Sequence, residues 1–114
     1  MRALDGEQIL MRIFIGEDDR HKGQPLYQAI VEMLRERGLA GATVLRGILG
    51  YGANSHLHTT HLLRLSQDLP IVIEVVDSED HINAVMPAID EMVREGLVTL
   101  EKVRVVRYAP APSS

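Results

Sequence analysis

The chain has no cysteine and no tryptophan, and its aromatic side chains are one phenylalanine and three tyrosines. Without cysteine there is no disulfide framework, no thiolate metal site and no cysteine nucleophile, which agrees with a reducing compartment. So few aromatics cannot furnish a sheet that stacks bases in the manner of an RNA-recognition domain. Basic residues form no run and the formal net charge is −4, so a broad nucleic-acid-binding face is not expected. No apolar run is long enough to span a bilayer. The first residues, Met1-Arg2-Ala3-Leu4-Asp5-Gly6-Glu7, lack the apolar stretch of a signal peptide, and the expected location is cytoplasmic. What remains is an ordinary globular balance, 46% apolar and 25% charged over 114 residues. It predicts one domain over residues 1–114, with a core at 9–108 and a flexible Pro/Ser tail at 109–114.

Periodicity places the elements. Ile9, Met11, Ile13 and Ile15 alternate, predicting a strand with these residues on one face and Gly16 at its end. A charged loop follows, Glu17-Asp18-Asp19-Arg20-His21-Lys22-Gly23. Pro25 suits the first turn of a helix, and Leu26, Ala29, Ile30, Met33 and Leu34 form its apolar face, with Gly38 as its cap. Ala42 to Leu49 reads as a second strand. Pro70 to Val76 reads as a third, almost continuously apolar, as a central strand is. Ser78 is a good N-cap for a second helix with Ile82, Val85, Met86, Ile89, Met92 and Val93 inward. Pro87 should kink that helix, Gly96 should cap it, and Val98 to Tyr108 is the fourth strand. The order βαββαβ repeats internally: Met33-Leu34-Arg35-Glu36-Arg37-Gly38-Leu39 matches Met92-Val93-Arg94-Glu95-Gly96-Leu97. Two such units predict a ferredoxin-like α/β (α+β) sandwich, one antiparallel four-stranded sheet with two helices on one face. A third strand apolar on both sides needs a cover on the other face as well, and oligomerisation is the natural one.

Three constellations are candidates for function. Arg46-Gly47-Ile48-Leu49-Gly50-Tyr51-Gly52 ends the second strand with glycines that let backbone N–H groups approach a phosphate, with Arg46 adding charge. The same pattern also fits a bulged strand end, and no Gly-Lys-Ser/Thr follows as in a phosphate loop. His56, His58 and His61 stand in a polar stretch, where imidazoles at this spacing can bind a divalent metal or simply meet solvent. Glu17, Asp18 and Asp19 follow the first strand and Asp77 the third. Read as neighbours running the same way, these strands bring both acidic groups to one end of the sheet, to hold Mg²⁺ or to cap helices. Catalytic arrangements are poor. Ser55, Ser66 and Ser78 lack a nucleophile-elbow context, and Asn54 and Asn83 sit in no acylphosphatase-like motif. The expectation is a protein that is not an enzyme.

Gly50-Tyr51-Gly52, the long stretch after it, and Leu69-Pro70 leading an apolar strand to Val76-Asp77 resemble the PII nitrogen-signalling proteins. The chain is more closely similar to the PII-like family known as domain of unknown function 190. The likeness runs from Glu17, Gly23 and Pro25-Leu26 through Gly38-Leu39-Ala40-Gly41-Ala42-Thr43-Val44-Leu45-Arg46-Gly47 to Val76-Asp77, within residues 9–108. That resemblance implies a homotrimer with the sheets facing inward and adenine-nucleotide clefts between subunits, at the base of a T-loop spanning Ala53 to Asp68. It implies no required cofactor. Carried over by position, Thr43, Arg46, Gly50, Tyr51, Gly52 and Arg94 are the nucleotide-binding candidates.

Two departures refine this. Arg94-Glu95-Gly96-Leu97-Val98 is short and offers one arginine where PII proteins have a glycine- and lysine-rich phosphate loop, so AMP or ADP is expected rather than ATP. No tyrosine lies between Ala53 and Asp68, which excludes nucleotidylation of a loop tyrosine. The resemblance thus implies a signalling protein that regulates a partner of the membrane transporter or channel kind through residues 53–68. The alternative is a metal-binding trimer of the divalent-cation-tolerance type that uses His56, His58 and His61.

Overall fold

In a computed structural model of the chain, residues 3–52 and 68–110 are described. Strand β1 (Gly6–Gly16) is central and is flanked by β5 (Pro70–Asp77) and β6 (Leu97–Val105), with β4 (Thr43–Arg46) beyond β5. The order β4-β5-β1-β6 with every neighbour antiparallel is the expected sandwich sheet. Helices α1 (Leu26–Glu36) and α2 (Glu79–Met92) supply the second layer. A short hairpin, β2 (Arg20–His21) and β3 (Gln24–Pro25), is folded into the charged loop after β1. Its turn residues Lys22 and Gly23 both have positive φ, 48° and 83°, the geometry of a tight two-residue hairpin turn.

Alternation decides which face is core. Met11, Ile13 and Ile15 of β1 and Ile71, Ile73 and Val75 of β5 are buried, and the register pairs Ile13 with Ile73. Leu26, Ala29, Ile30 and Leu34 of α1 and Ile82, Val85 and Ile89 of α2 close over them. Each large side chain so buried contributes roughly 1.5–3 kcal/mol. The helix ends follow local rules. Leu39 N–H donates to Leu34 O at 3.1 Å and Gly38 N–H to Arg35 O at 3.1 Å, with Gly38 at φ 80°; this is a Schellman stop. Ser78 Oγ accepts from His81 N–H at 3.2 Å at the start of α2. Pro87 lies on an exposed side of α2, which is continuous through it.

Several boundaries differ from expectation. Pro25 precedes α1, whose first N–H, on Leu26, is taken by Asp19 O at 2.8 Å. Strand β4 stops at Arg46 because Gly47 N–H turns to Pro70 O at 2.7 Å and the chain then folds over the Pro70 ring. Strand β6 stops at Val105, opposite Gly6, where β1 itself begins. Helix α2 ends at Met92, with Val93 as its cap. Gly96 instead makes the turn into β6, where a Cβ would stand 2.6 Å from Phe14 O.

One correction bears on function. Strands β1 and β5 run antiparallel, with Gly16 opposite Pro70 and Ile9 opposite Asp77. The acidic turn after β1 and Asp77 therefore lie at opposite ends of the sheet, roughly 23 Å apart at 3.3 Å per residue, and cannot share a Mg²⁺. Asp77 is fully buried and structural. Its carboxylate accepts from Ala40 N–H at 2.8 Å and Ser78 N–H at 2.7 Å, which ties the turn after α1 to the start of α2.

Candidate functional site

The sheet face away from the helices carries Leu10, Arg12 and Phe14 of β1 and Val72, Glu74 and Val76 of β5, all half-buried. At its centre Arg12 Nε donates to Glu74 Oε2 at 2.9 Å and Arg12 Nη1 to Glu101 Oε1 at 2.7 Å. These carboxylates hold the guanidinium pKa above its ordinary value, chiefly through the hydrogen bond from Glu74. The cluster could not be read from the sequence, because its members meet only through the pairing of β1 with β5 and β6.

Toward the Asp77 end, this face opens into a hollow of about 480 Å³. Leu10, Val76, Val105 and Tyr108 give it apolar walls, and Thr43 and Glu74 add a hydroxyl and a carboxylate. Ala40, Gly41 and Ala42 form its rim and are held by Asp77 through Ala40 N–H. Thr43 is thus the candidate that faces a cavity with room for a flat heterocycle.

Arg46 lies elsewhere. It pairs with Ile71 and Thr43 with Glu74, so they stand three positions apart on the strand and occupy opposite faces of β4. Arg46 Nη1 donates to Glu17 Oε2 at 2.8 Å, and Glu17 raises the guanidinium pKa by that hydrogen bond and by its charge. Around this pair, Asp68 and Leu69, which lead into β5, are fastened to the turn after β1. Glu17 N–H donates to Leu69 O at 2.8 Å and Asp18 N–H to Asp68 Oδ1 at 3.2 Å. Gly16 N–H donates to Asp19 Oδ2 at 2.9 Å. A Cβ on Gly47 would stand 2.7 Å from Pro70 Cγ, and one on Gly50 3.0 Å. These two glycines are therefore needed for packing on Pro70, while Gly52 faces open space. Ile48, Leu49 and Tyr51 are exposed, Ile48 by 90%.

Arg94 falls in a third place. With Arg20, His21, Lys22, Glu91 and Glu95 it lines a hollow of about 570 Å³ between the β2–β3 hairpin and the end of α2. The single chain therefore does not gather Thr43, Arg46 and Arg94 into one pocket. His56, His58 and His61, and the leucines of the same stretch, lie outside the described residues. Among the described residues no group of three or more His, Asp or Glu side chains is arranged to hold a metal.

Ser78 and His81 resemble part of a hydrolytic triad, with Oγ 2.8 Å from Nδ1. Asp77, however, approaches the same Nδ1, at 3.9 Å, and not the other ring nitrogen. A base held for proton relay is oriented through its second nitrogen, so this contact is a helix cap.

Residues 8–105 match the family DUF190, described as Uncharacterized ACR, COG1993. A UPF0166 protein of Aquifex aeolicus is 41% identical over 97 residues, covering 85% of this chain and 91% of the relative. A UPF0166 protein of Methanocaldococcus jannaschii is 35% identical over 99 residues, covering 86% and 91%. Among solved structures, CPII of Thiomonas intermedia K12, a nitrogen regulatory PII-like protein bound to ADP, AMP and bicarbonate, aligns with a TM-score of 0.64 at 15% identity, over 90% of this chain and 97% of that one. At that identity the likeness is one of fold. The βαββαβ sandwich, the Pro70-supported glycine turn and the match over residues 8–105 lead to one conclusion: the chain belongs to the DUF190 family and has a PII-like fold.

Proposed function

We propose that the protein is a PII-like regulator that binds an adenine nucleotide, AMP or ADP, in clefts between copies of the chain, and works by binding and not by catalysis. The observation that carries this reading is the division of the candidate residues. The apolar hollow at Thr43 suits a base, the guanidinium of Arg46 suits a phosphate, and the two lie on opposite faces of β4. A ligand seated between two copies can take the hollow of one and the guanidinium of the other. The half-buried Leu10, Phe14, Val72 and Val76 supply an apolar face on which copies can pack, and a homotrimer is the assembly we infer. CPII, whose fold is similar, binds ADP and AMP. Arg94 is the remaining phosphate candidate, and the segment 53–68 is the surface through which a partner, a membrane transporter or channel, would read the bound state.

Calorimetric titration with AMP, ADP, ATP and cyclic AMP, alongside sedimentation, tests the proposal. Saturable heat with AMP or ADP, weaker heat with ATP, and a trimer are expected. No heat and no thermal shift with any nucleotide would refute it.

A further inference from the structure

We propose that the β2–β3 hairpin supplies phosphate-binding cations, with Arg20 and Lys22 joining Arg94 on the terminal phosphate of ADP; this rests on the nucleotide-binding reading above. Between the end of α2 and the start of β6, Arg94 is the one cation. The hairpin brings Arg20 and Lys22 to the same hollow of about 570 Å³. All three are exposed. None of them forms an ion pair among the described residues, so their N–H groups are open to a ligand. Asp19, Glu91 and Glu95 line the hollow too, which leaves it formally neutral when His21 is neutral. It therefore does not gather free anions from solution. It holds a phosphate delivered by the rest of its ligand, through charge-assisted N–H donation at short range.

Position and rigidity both support this. Arg46 stands opposite Ile71, which stands opposite Ile15 near the end of β1, and β6 begins at Leu97 opposite Phe14. Arg46 and the hollow therefore belong to the same end of the sheet. They also share a side of it. Ile71 is buried under the helices, so its cross-strand partner Arg46 projects on the helix side, where the hollow lies between the hairpin and α2. One turn joins the two places, with Glu17 bound to Arg46 and Asp19 on the wall of the hollow. The copy that lends Arg46 to a nucleotide thus also presents the hairpin. That hairpin is held in place. Arg20 pairs with Pro25 and His21 with Gln24, and Lys22 and Gly23 close the turn at positive φ. Leu26 N–H donates to Asp19 O at 2.8 Å, which seats the hairpin on α1. Cations carried on a fixed arm lose less freedom on binding than cations on a loose loop.

The test is calorimetric titration of AMP and ADP, without divalent cations, into the wild-type protein and a double variant, Arg20→Gln with Lys22→Asn. Asparagine tolerates the positive φ of Lys22. The wild-type protein should prefer ADP. The double variant should bind ADP about tenfold or more weakly and AMP within about twofold of wild type, so that the preference falls toward one. ADP, and not AMP, should slow amide exchange at residues 20–24 of the wild-type protein. Glu95→Gln, which removes a like charge from the hollow, should tighten ADP binding by about two- to fivefold at low salt. Unchanged ADP affinity in the double variant, or an equal loss for both nucleotides, overturns the hairpin's role and leaves the nucleotide reading standing. Equal affinity of the wild-type protein for AMP and ADP does the same. A wild-type protein that binds neither overturns both. Should the double variant fail to fold, Arg20→Gln and Lys22→Asn taken singly are judged by the same outcomes.

Discussion

Replacing Asp77 by alanine tests how this fold is held together. The carboxylate is fully buried and accepts from Ala40 N–H at 2.8 Å and Ser78 N–H at 2.7 Å. A hydrogen bond to a charged group is worth about 1.5–3 kcal/mol, and a buried donor left without its acceptor costs a similar amount. Asp77→Ala strands two donors at once, so a loss of about 3–5 kcal/mol is expected. That is a large part of the roughly 5–15 kcal/mol that holds a domain folded. Asp77→Asn keeps one acceptor and turns an amide nitrogen toward the other donor, so it should lose about half as much. With a urea slope of about 1–3 kcal/mol/M, the alanine variant's midpoint should fall by roughly 2 M. The chain has no tryptophan, so far-UV circular dichroism is the readout, at fixed protein concentration because assembly adds to apparent stability. Because Ala40 to Ala42 rim the Thr43 hollow, the asparagine variant should also bind nucleotide more weakly. If Asp77→Ala unfolds within about 1 kcal/mol of wild type, or if asparagine is no better than alanine, the stapling argument fails.

Two further predictions concern the candidate site. Gly47→Ala places a Cβ 2.7 Å from Pro70 Cγ and should cost about 1–3 kcal/mol in thermal unfolding. Gly52→Ala, with nothing within 4 Å of its Cβ, should change stability by less than about 0.5 kcal/mol; equal effects at the two positions would refute the Pro70 packing argument. Thr43→Ala and Arg46→Ala should each weaken ADP binding. Co-refolding the two should restore wild-type affinity at about one site in four, because a ring of head-to-tail interfaces can then pair an intact Thr43 with an intact Arg46. A mixture that titrates as the plain sum of its components would show that each site belongs to one chain.

Much of this fold was legible in the sequence because local periodicity decided it. The alternation of Ile71, Ile73 and Val75, the helical stripe through Ile82, Val85 and Ile89, and the signals at Ser78 and Gly38 each act within a few residues. What required register was not legible. Glu17 read as one acid of a charged turn, and only the meeting of distant segments makes it the partner of Arg46, 29 residues away. The direction of β5 relative to β1 decides whether Asp77 joins that turn, and side-chain periodicity is the same for either direction. The glycines of the 46–52 stretch suit close approach to a phosphate, yet Gly47 and Gly50 are explained by the ring of Pro70. The β2–β3 hairpin was hidden because two-residue strands carry no periodicity at all.

The Arg12 cluster has a consequence for how the open sheet face can be covered. One guanidinium between Glu74 and Glu101 stands among Leu10, Phe14, Val72 and Val76. A uniformly greasy face tolerates sliding and rotation of whatever lies on it, because one apolar contact replaces another at little cost. This face does not. A partner displaced by one strand spacing would press a hydrocarbon side chain onto three charges and strip their water without replacing it. Orientations that leave the cluster solvated, or meet it with polar atoms, are favoured over all the rest. Arg12 and its two glutamates therefore act as a key that admits few angles of approach, while the surrounding leucine, valine and phenylalanine side chains supply the adhesion.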